Sequence, residues 1–325
     1  MTNPISQMFK GIALSILIGL VAYGVAPFIP SMNEILMGLL LGVLFNNLVR
    51  IPNEFQSGTS FMSSKMFEIA ILLLAVGINF SHISNLGWRM FLLLVLAVFG
   101  TLFIGMWLSK KLKCPGSSGL LISFGTVICG AAAIAALAPF VSKNKEEIGI
   151  SMAVINLFGI LGMLLFPLIL VAIALPSQES GLLIGGSLHS VGNVAGAGFE
   201  MGEEVGRTAI TVKLARVALL SPALLLVTFL YQNAGNQSKT RFRLRLPWYV
   251  WGFILISIFV SVVPIPSLII KLADDIGKFV LTVAMSAVGL NVRFITLYQS
   301  GRKGLLLGLI LFWVQIAFLS FWFFI

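Results

Sequence analysis

GTVICGAAAIAALAP (Gly125 to Pro139) interrupts an apolar stretch with glycine and alanine where an ordinary membrane helix carries leucine. Further along, GGSLHSVGNVAGAG (Gly185 to Gly198) does so again, now with a histidine inside. A bilayer tolerates irregular backbone only where protein or a water-filled cavity satisfies the freed N–H and C=O groups. Two glycine-interrupted hydrophobic segments in one chain point to the midplane binding site of a carrier.

The composition fixes the class. Hydrophobic residues make up 58% of the 325 and charged residues 10%, well below the ~25% charged residues of a soluble domain. Apolar runs long enough to cross a ~30 Å hydrocarbon core recur from end to end. They leave no room for a soluble domain, so residues 1–325 read as one integral, all-α, polytopic membrane domain. The net charge of +10 is read as Lys and Arg gathered in cytoplasmic loops, not as a nucleic-acid footprint. Cys114, in a lysine-rich loop, and Cys129, within a span, form no disulfide or metal framework. Lys10 followed by GIALSILIGLVAYGVA resembles a signal peptide, but Pro27 stands where cleavage would fall and a second span follows, so a retained first helix is expected.

The pattern predicts eleven spans, near 11–30, 34–50, 64–81, 88–109, 117–141, 147–175, 180–199, 205–231, 247–264, 267–292 and 303–325. The strongest basic loops, Lys110, Lys111 and Lys113 and then Lys239, Arg241, Arg243 and Arg245, are four spans apart and therefore on one side. The positive-inside rule makes that side cytoplasmic. The N-terminus is then cytoplasmic, the C-terminus external, and Lys143 and Lys145 fall outside, accompanied by Glu146 and Glu147.

AVGIN (Ala75 to Asn79) and AVGLN (Ala287 to Asn291) each close a span, seven spans apart. The copies therefore run in opposite directions, as inverted repeats do in many carriers; the halves are expected near 34–175 and 180–325. A looser echo links spans five and six with seven and eight: a glycine-rich half, an acidic turn (Glu146–Glu147; Glu203–Glu204) and a proline deep in the next helix (Pro167; Pro222). With eleven through-going spans those pairs run parallel, which does not fit a simple inverted repeat.

Among candidate residues, Lys213 and Arg216 stand out, three apart and on one helix face. A charge near the bilayer centre costs at least ~2.5–3.5 kcal/mol and normally marks a pathway; snorkelling to the interface is the competing reading. No carboxylate lies one turn away to neutralise them. Neutral replacement is accordingly expected to leave insertion intact and, by removing a desolvation cost, to ease folding. His189, with Ser187 beside it, sits among glycines and can change charge near neutral pH. Thr126, Cys129 and Gly130 occupy the first break, where half-helix N-termini would offer N–H donors to an anion; close packing through small residues is the competing reading. Asn193 adds an uncharged donor and acceptor to the candidate substrate site, and Asn79, Asn156, Asn291 and Ser187 are candidates for coupling or a helix break. His82 reads as a surface residue, and Asp274 and Asp275 as part of an interfacial charge cluster with Lys271 and Lys278. No GxxxxGK[ST] or HExxH motif is present, so neither an ATPase nor a metalloprotease is indicated.

The stretches Thr126 to Pro167, GGSLHSVGNVAGAG and KLARVALLSP (Lys213 to Pro222) together resemble the YeiH-like family of inner-membrane transporters described as sulfate exporters. The resemblance covers most of the chain. It implies a secondary carrier distantly similar to the bile-acid and sodium–proton antiporter folds, with discontinuous crossing helices. It carries over His189, Lys213 and Arg216 as functional positions. Members of that family usually carry an acidic residue where this chain has Ser190, so a carboxylate proton relay there is not implied.

The resulting expectation is a multi-pass inner-membrane carrier, not an enzyme, without cofactor or metal. It would move a small anion (sulfate, sulfite or a small sulfonate) with proton coupling and no nucleic-acid partner; a homodimer is an admissible assembly. Sodium-coupled uptake of an organic acid is the alternative carrier, with half-helix carbonyls and asparagines holding Na⁺. A membrane enzyme or sensor is the alternative of another class.

Overall fold

The computed structural model describes residues 4–29, 32–49, 51–77, 87–115, 117–142, 144–233, 247–292 and 302–321, and among them every regular element is helical. The protein is an all-α polytopic membrane protein. Among the described residues, six helices are long and apolar enough to cross a bilayer. The chain falls into two compact units, one of residues 1–85 with 248–294 and the other of 86–247 with 295–325. Each draws on both of the halves expected as repeats.

The first unit holds α1 (Pro4–Val25), α2 (Glu34–Val49), α3 (Gln56–Ala75, with a π-turn at Met62–Met66), α12 (Trp248–Val262) and α13 (Ser267–Leu290). Small residues let these helices touch backbone to backbone, the main source of helix adhesion where lipid is as apolar as leucine. Gly11 on α1 meets Gly58 on α3, and Gly42 on α2 faces the carbonyl of Ser286 and Gly289 on α13. The third span begins at Gln56, eight residues before the expected boundary at 64, because polar QSGTS still satisfies its backbone as helix. Asn291 ends α13 and bonds Thr59 Oγ1 at 2.9 Å and Ser63 Oγ at 3.3 Å. Asp274 pairs with Lys278 at 2.9 Å, one turn along α13.

The second unit holds α4 (Gly87–Lys111), α5 (Ser118–Val127), α6 (Ala131–Val141), α7 (Lys145–Ala172), α8 (Ser177–Ser187), α9 (Val191–Glu200), α10 (Glu203–Ala218), α11 (Leu220–Asn233) and α14 (Arg302–Ser320). Here the span pattern changes. The segments expected as spans five and seven are each broken, and each turns back on itself. Ser117 Oγ donates to the carbonyl of Val141 at 2.6 Å, joining the two ends of α5–α6. A through-going span would hold those ends about 36 Å apart at 1.5 Å per residue. In α8–α9, Gly181 and Gly198 both abut the same stretch of α10, Val205 to Ala209, so that pair is a hairpin too. Helices of 10 and 11 residues reach about 15 Å, half the hydrocarbon core.

Helix α7 shows the two hairpins entering from opposite ends. Glu147 accepts from Ser117 and Ser142 at the base of α5–α6, and Ile155 touches Gly125 and Gly130 near its tip. Gly159 then meets His189 and Asn193 at the tip of α8–α9, and Met163 meets Gly196. Consequently α5–α6 followed by α7, and α8–α9 followed by α10–α11, run in opposite senses, which removes the parallel-repeat difficulty. The hairpin also returns Lys145 to the end of the unit that carries Lys111 and Lys113. Lys303 Nζ bonds the carbonyl of Lys113 there, and Tyr231 bonds that of Val141.

Packing through Gly42 has a testable cost. A Cβ there meets backbone that cannot move aside, whereas nothing lies within 4 Å of the Cβ position of Gly24. Gly42→Ala should lower stability by ~1–3 kcal/mol through overpacking, and Gly24→Ala should be neutral or stabilising by up to ~1 kcal/mol; thermal unfolding in detergent compares them.

Candidate functional site

The two tips meet around α10. Measured along the span Glu203–Tyr231, Arg216 lies about 20 Å from one end and about 22 Å from the other at 1.5 Å per residue. Lys213 and Arg216 are both fully buried, so neither snorkels. Their partners are backbone carbonyls. Lys213 Nζ donates to Ile128 at 2.6 Å and Leu188 at 2.7 Å. Arg216 donates from Nε to Val127 (3.2 Å), from Nη2 to Thr126 (2.8 Å) and from Nη1 to Gly185 (3.2 Å), Gly186 (2.5 Å) and Leu188 (3.2 Å). Those carbonyls are the unsatisfied C-terminal ends of α5 and α8, where helix dipoles present partial negative charge. Two side chains thus cap two half-helices and tie one hairpin to the other.

The same tips expose the opposite ends of α6 and α9. Gly130 turns the chain with φ +73° and brings its Cα against Ile155 and the His189 carbonyl, leaving little room for a Cβ. Gly130, at the N-cap of α6, offers no side-chain cap, and the first residues of the helix, Ala131 and Ala132, are half-buried and exposed. Ser190 caps α9, accepting from the Asn193 N–H at 3.1 Å. The two C-terminal ends offset about one positive charge and the two N-terminal ends return about as much. The two formal cations remain, and among the described residues neither bonds a carboxylate. His189 is fully buried, packs on Phe312 with ring centroids 5.6 Å apart, and among the described residues has no hydrogen-bond partner at either ring nitrogen.

Of the sequence candidates, the structure brings together Thr126, Cys129, Gly130, Ser187, His189, Asn193, Lys213 and Arg216. Thr126 contributes its carbonyl, since its hydroxyl bonds Ile122 within the helix, and Ser187 likewise bonds Leu183. Asn156 is exposed beside Ile155. Asn291 belongs to the other unit, and Asn79 and His82 lie outside the described residues.

The family described as Conserved hypothetical protein 698 matches residues 10–308. A membrane protein of Bacillus cereus is 30% identical over 93% of this chain and 87% of its own length. One of Pseudomonas putida is 31% identical over 86% and 82%, and one of Bordetella bronchiseptica 32% identical over 88% and 92%. All three are named UPF0324 membrane proteins. The chain belongs to the UPF0324 family. The YeiH-like resemblance in its sequence is to this same family. No solved structure matches the chain.

What sequence reading missed in this UPF0324 protein is mainly backbone: the carbonyls that Lys213 and Arg216 hold carry no residue signal. Phe312, Gly159 and the cap at Ser190 were also unassigned. Expecting neutral replacement to ease folding assumed an unpaired charge; here removal strands several buried carbonyls, each costing ~1–3 kcal/mol. Arg216→Gln should therefore lower the thermal midpoint strongly, and Arg216→Lys less so, because an ammonium keeps the charge but cannot reach all five carbonyls that the guanidinium fork bonds. Fluorescence-detected size exclusion after heating checks the order wild type, Lys, Gln.

Proposed function

We propose that this protein is a secondary active transporter of a small anion such as sulfate, sulfite or a small sulfonate, coupled to protons and resident in the inner membrane. The observation that carries this reading is the meeting of two half-length hairpins, from opposite ends of one unit, at a mid-depth point that holds two buried cations. In this reading the excess positive charge attracts the anion, and the N–H groups that open α6 and α9 bind it, as helix N-termini bind oxyanions. His189 takes up and releases the coupling proton, which suits an imidazole whose nitrogens are otherwise unengaged. The tips give the anion one site reachable in turn past either hairpin, the arrangement alternating access requires.

Orientation follows from charge. The end of the unit that gathers Lys110, Lys111, Lys113, Lys303 and the start of α7 is assigned to the cytoplasm, with the N-terminus on that side. The opposite senses of the two hairpin-plus-helix pairs support an inverted duplication of that element.

Purified protein in liposomes should exchange labelled sulfate or sulfite, faster with an imposed pH gradient. His189→Gln should retain anion exchange but lose the acceleration by the gradient. Absence of any anion-dependent flux, in either orientation and across inorganic and organic anions, overturns the reading.

A further inference from the structure

The unwound carbonyls and C-terminal ends of half-helices are where discontinuous-helix carriers coordinate small cations. In this protein those positions are already filled from within. The Ile128 and Leu188 carbonyls, one from each hairpin tip, converge on Lys213 Nζ at 2.6 and 2.7 Å. The ammonium reaches them from a third element, α10, and is wholly buried. Leu188 is shared with Arg216, so the cationic pair forms one continuous tie across the tips.

We propose that the Ile128–Leu188 carbonyl pair is a monovalent-cation seat and that Lys213 occupies it permanently as a tethered cation, in place of a dissociable ion. Three features carry this. The seat is made of carbonyl oxygens, the hard ligands that suit Na⁺ or an alkylammonium. It stands at the negative ends of two helix dipoles, α5 and α8, which favour a cation. And the group that fills it is a compact point charge on a flexible stem, the side chain closest in form to a free cation.

Two consequences follow. The intact protein has no vacant seat here for Na⁺, so sodium does not hold its tips together, which separates this site from the sodium-coupled alternative. Shortening the side chain empties the seat and makes the tie dependent on an added cation. Neither consequence depends on what the protein transports, and the test reads stability alone, so a failure to find anion flux leaves this inference standing.

The test measures the thermal midpoint of purified wild type, Lys213→Ala and Lys213→Met in choline, sodium or methylammonium chloride at equal ionic strength. Wild type should give the same midpoint in all three salts. Lys213→Ala should melt several degrees lower in choline and recover saturably with methylammonium, and in part with sodium, as a ligand that binds only the folded state requires. Lys213→Met, whose side chain fills the space without charge, should be destabilised and not recover. If Lys213→Ala cannot be purified in choline, extraction in methylammonium gives the same readout as recovered monodisperse protein. Saturable stabilisation of wild type by sodium overturns the proposal, as does a Lys213→Met as stable as wild type. A Lys213→Ala that no cation restores overturns it equally.

Discussion

A helix that stops inside a bilayer leaves four carbonyls without partners, and no water is at hand to take them. This protein stops two helices there, α5 at Val127 and α8 at Ser187, and the rest of the second unit answers that constraint. Lys213 and Arg216 supply the donors, making seven hydrogen bonds to six carbonyls. Their burial, costly for isolated charges, is supported by the same oxygens that need them. The cations and the half-helices each make the other tolerable.

The glycines follow from the same requirement. Gly185 lies against the carbonyl of Ala209 and Gly198 against Gly206, so hairpin α8–α9 straddles α10 closely enough for a side chain on α10 to reach the tip. Gly130 brings the other tip to the His189 carbonyl. With larger residues the tips stand off, and a lysine stem no longer spans the gap. Small residues here set the reach of a charged group as well as the packing of helices.

How much of this was legible in the sequence divides along a physical line. Apolar length and composition gave the all-α membrane class, and the breaks near Cys129 and His189 were visible because glycine-rich segments replace leucine. Lys213 and Arg216 were visible because charge in an apolar helix is rare. The return of the chain at each break was not, since a hairpin of two half-length helices and one full span have the same length and hydropathy. Glu146 and Glu147 carried a trace of it: basic and acidic residues after α6 sat on the wrong side of the membrane until the hairpin brought them back. The partners of the two cations were invisible for a different reason, because every residue has a carbonyl and only the fold decides which are left unpaired.

The site depends most directly on the hairpins entering from opposite faces and returning to them. Single cysteines at Lys111, Glu146, Gln178 and Glu204, in a background with Cys114 and Cys129 replaced by serine, can be probed with a membrane-impermeant maleimide in intact cells and in inverted vesicles. All four positions are exposed. With each hairpin returning to the face it enters from, Lys111→Cys and Glu146→Cys should label from one face, and Gln178→Cys and Glu204→Cys together from the other. Labelling of Glu146→Cys from the face opposite Lys111→Cys, or of Gln178→Cys and Glu204→Cys from different faces, would contradict that arrangement.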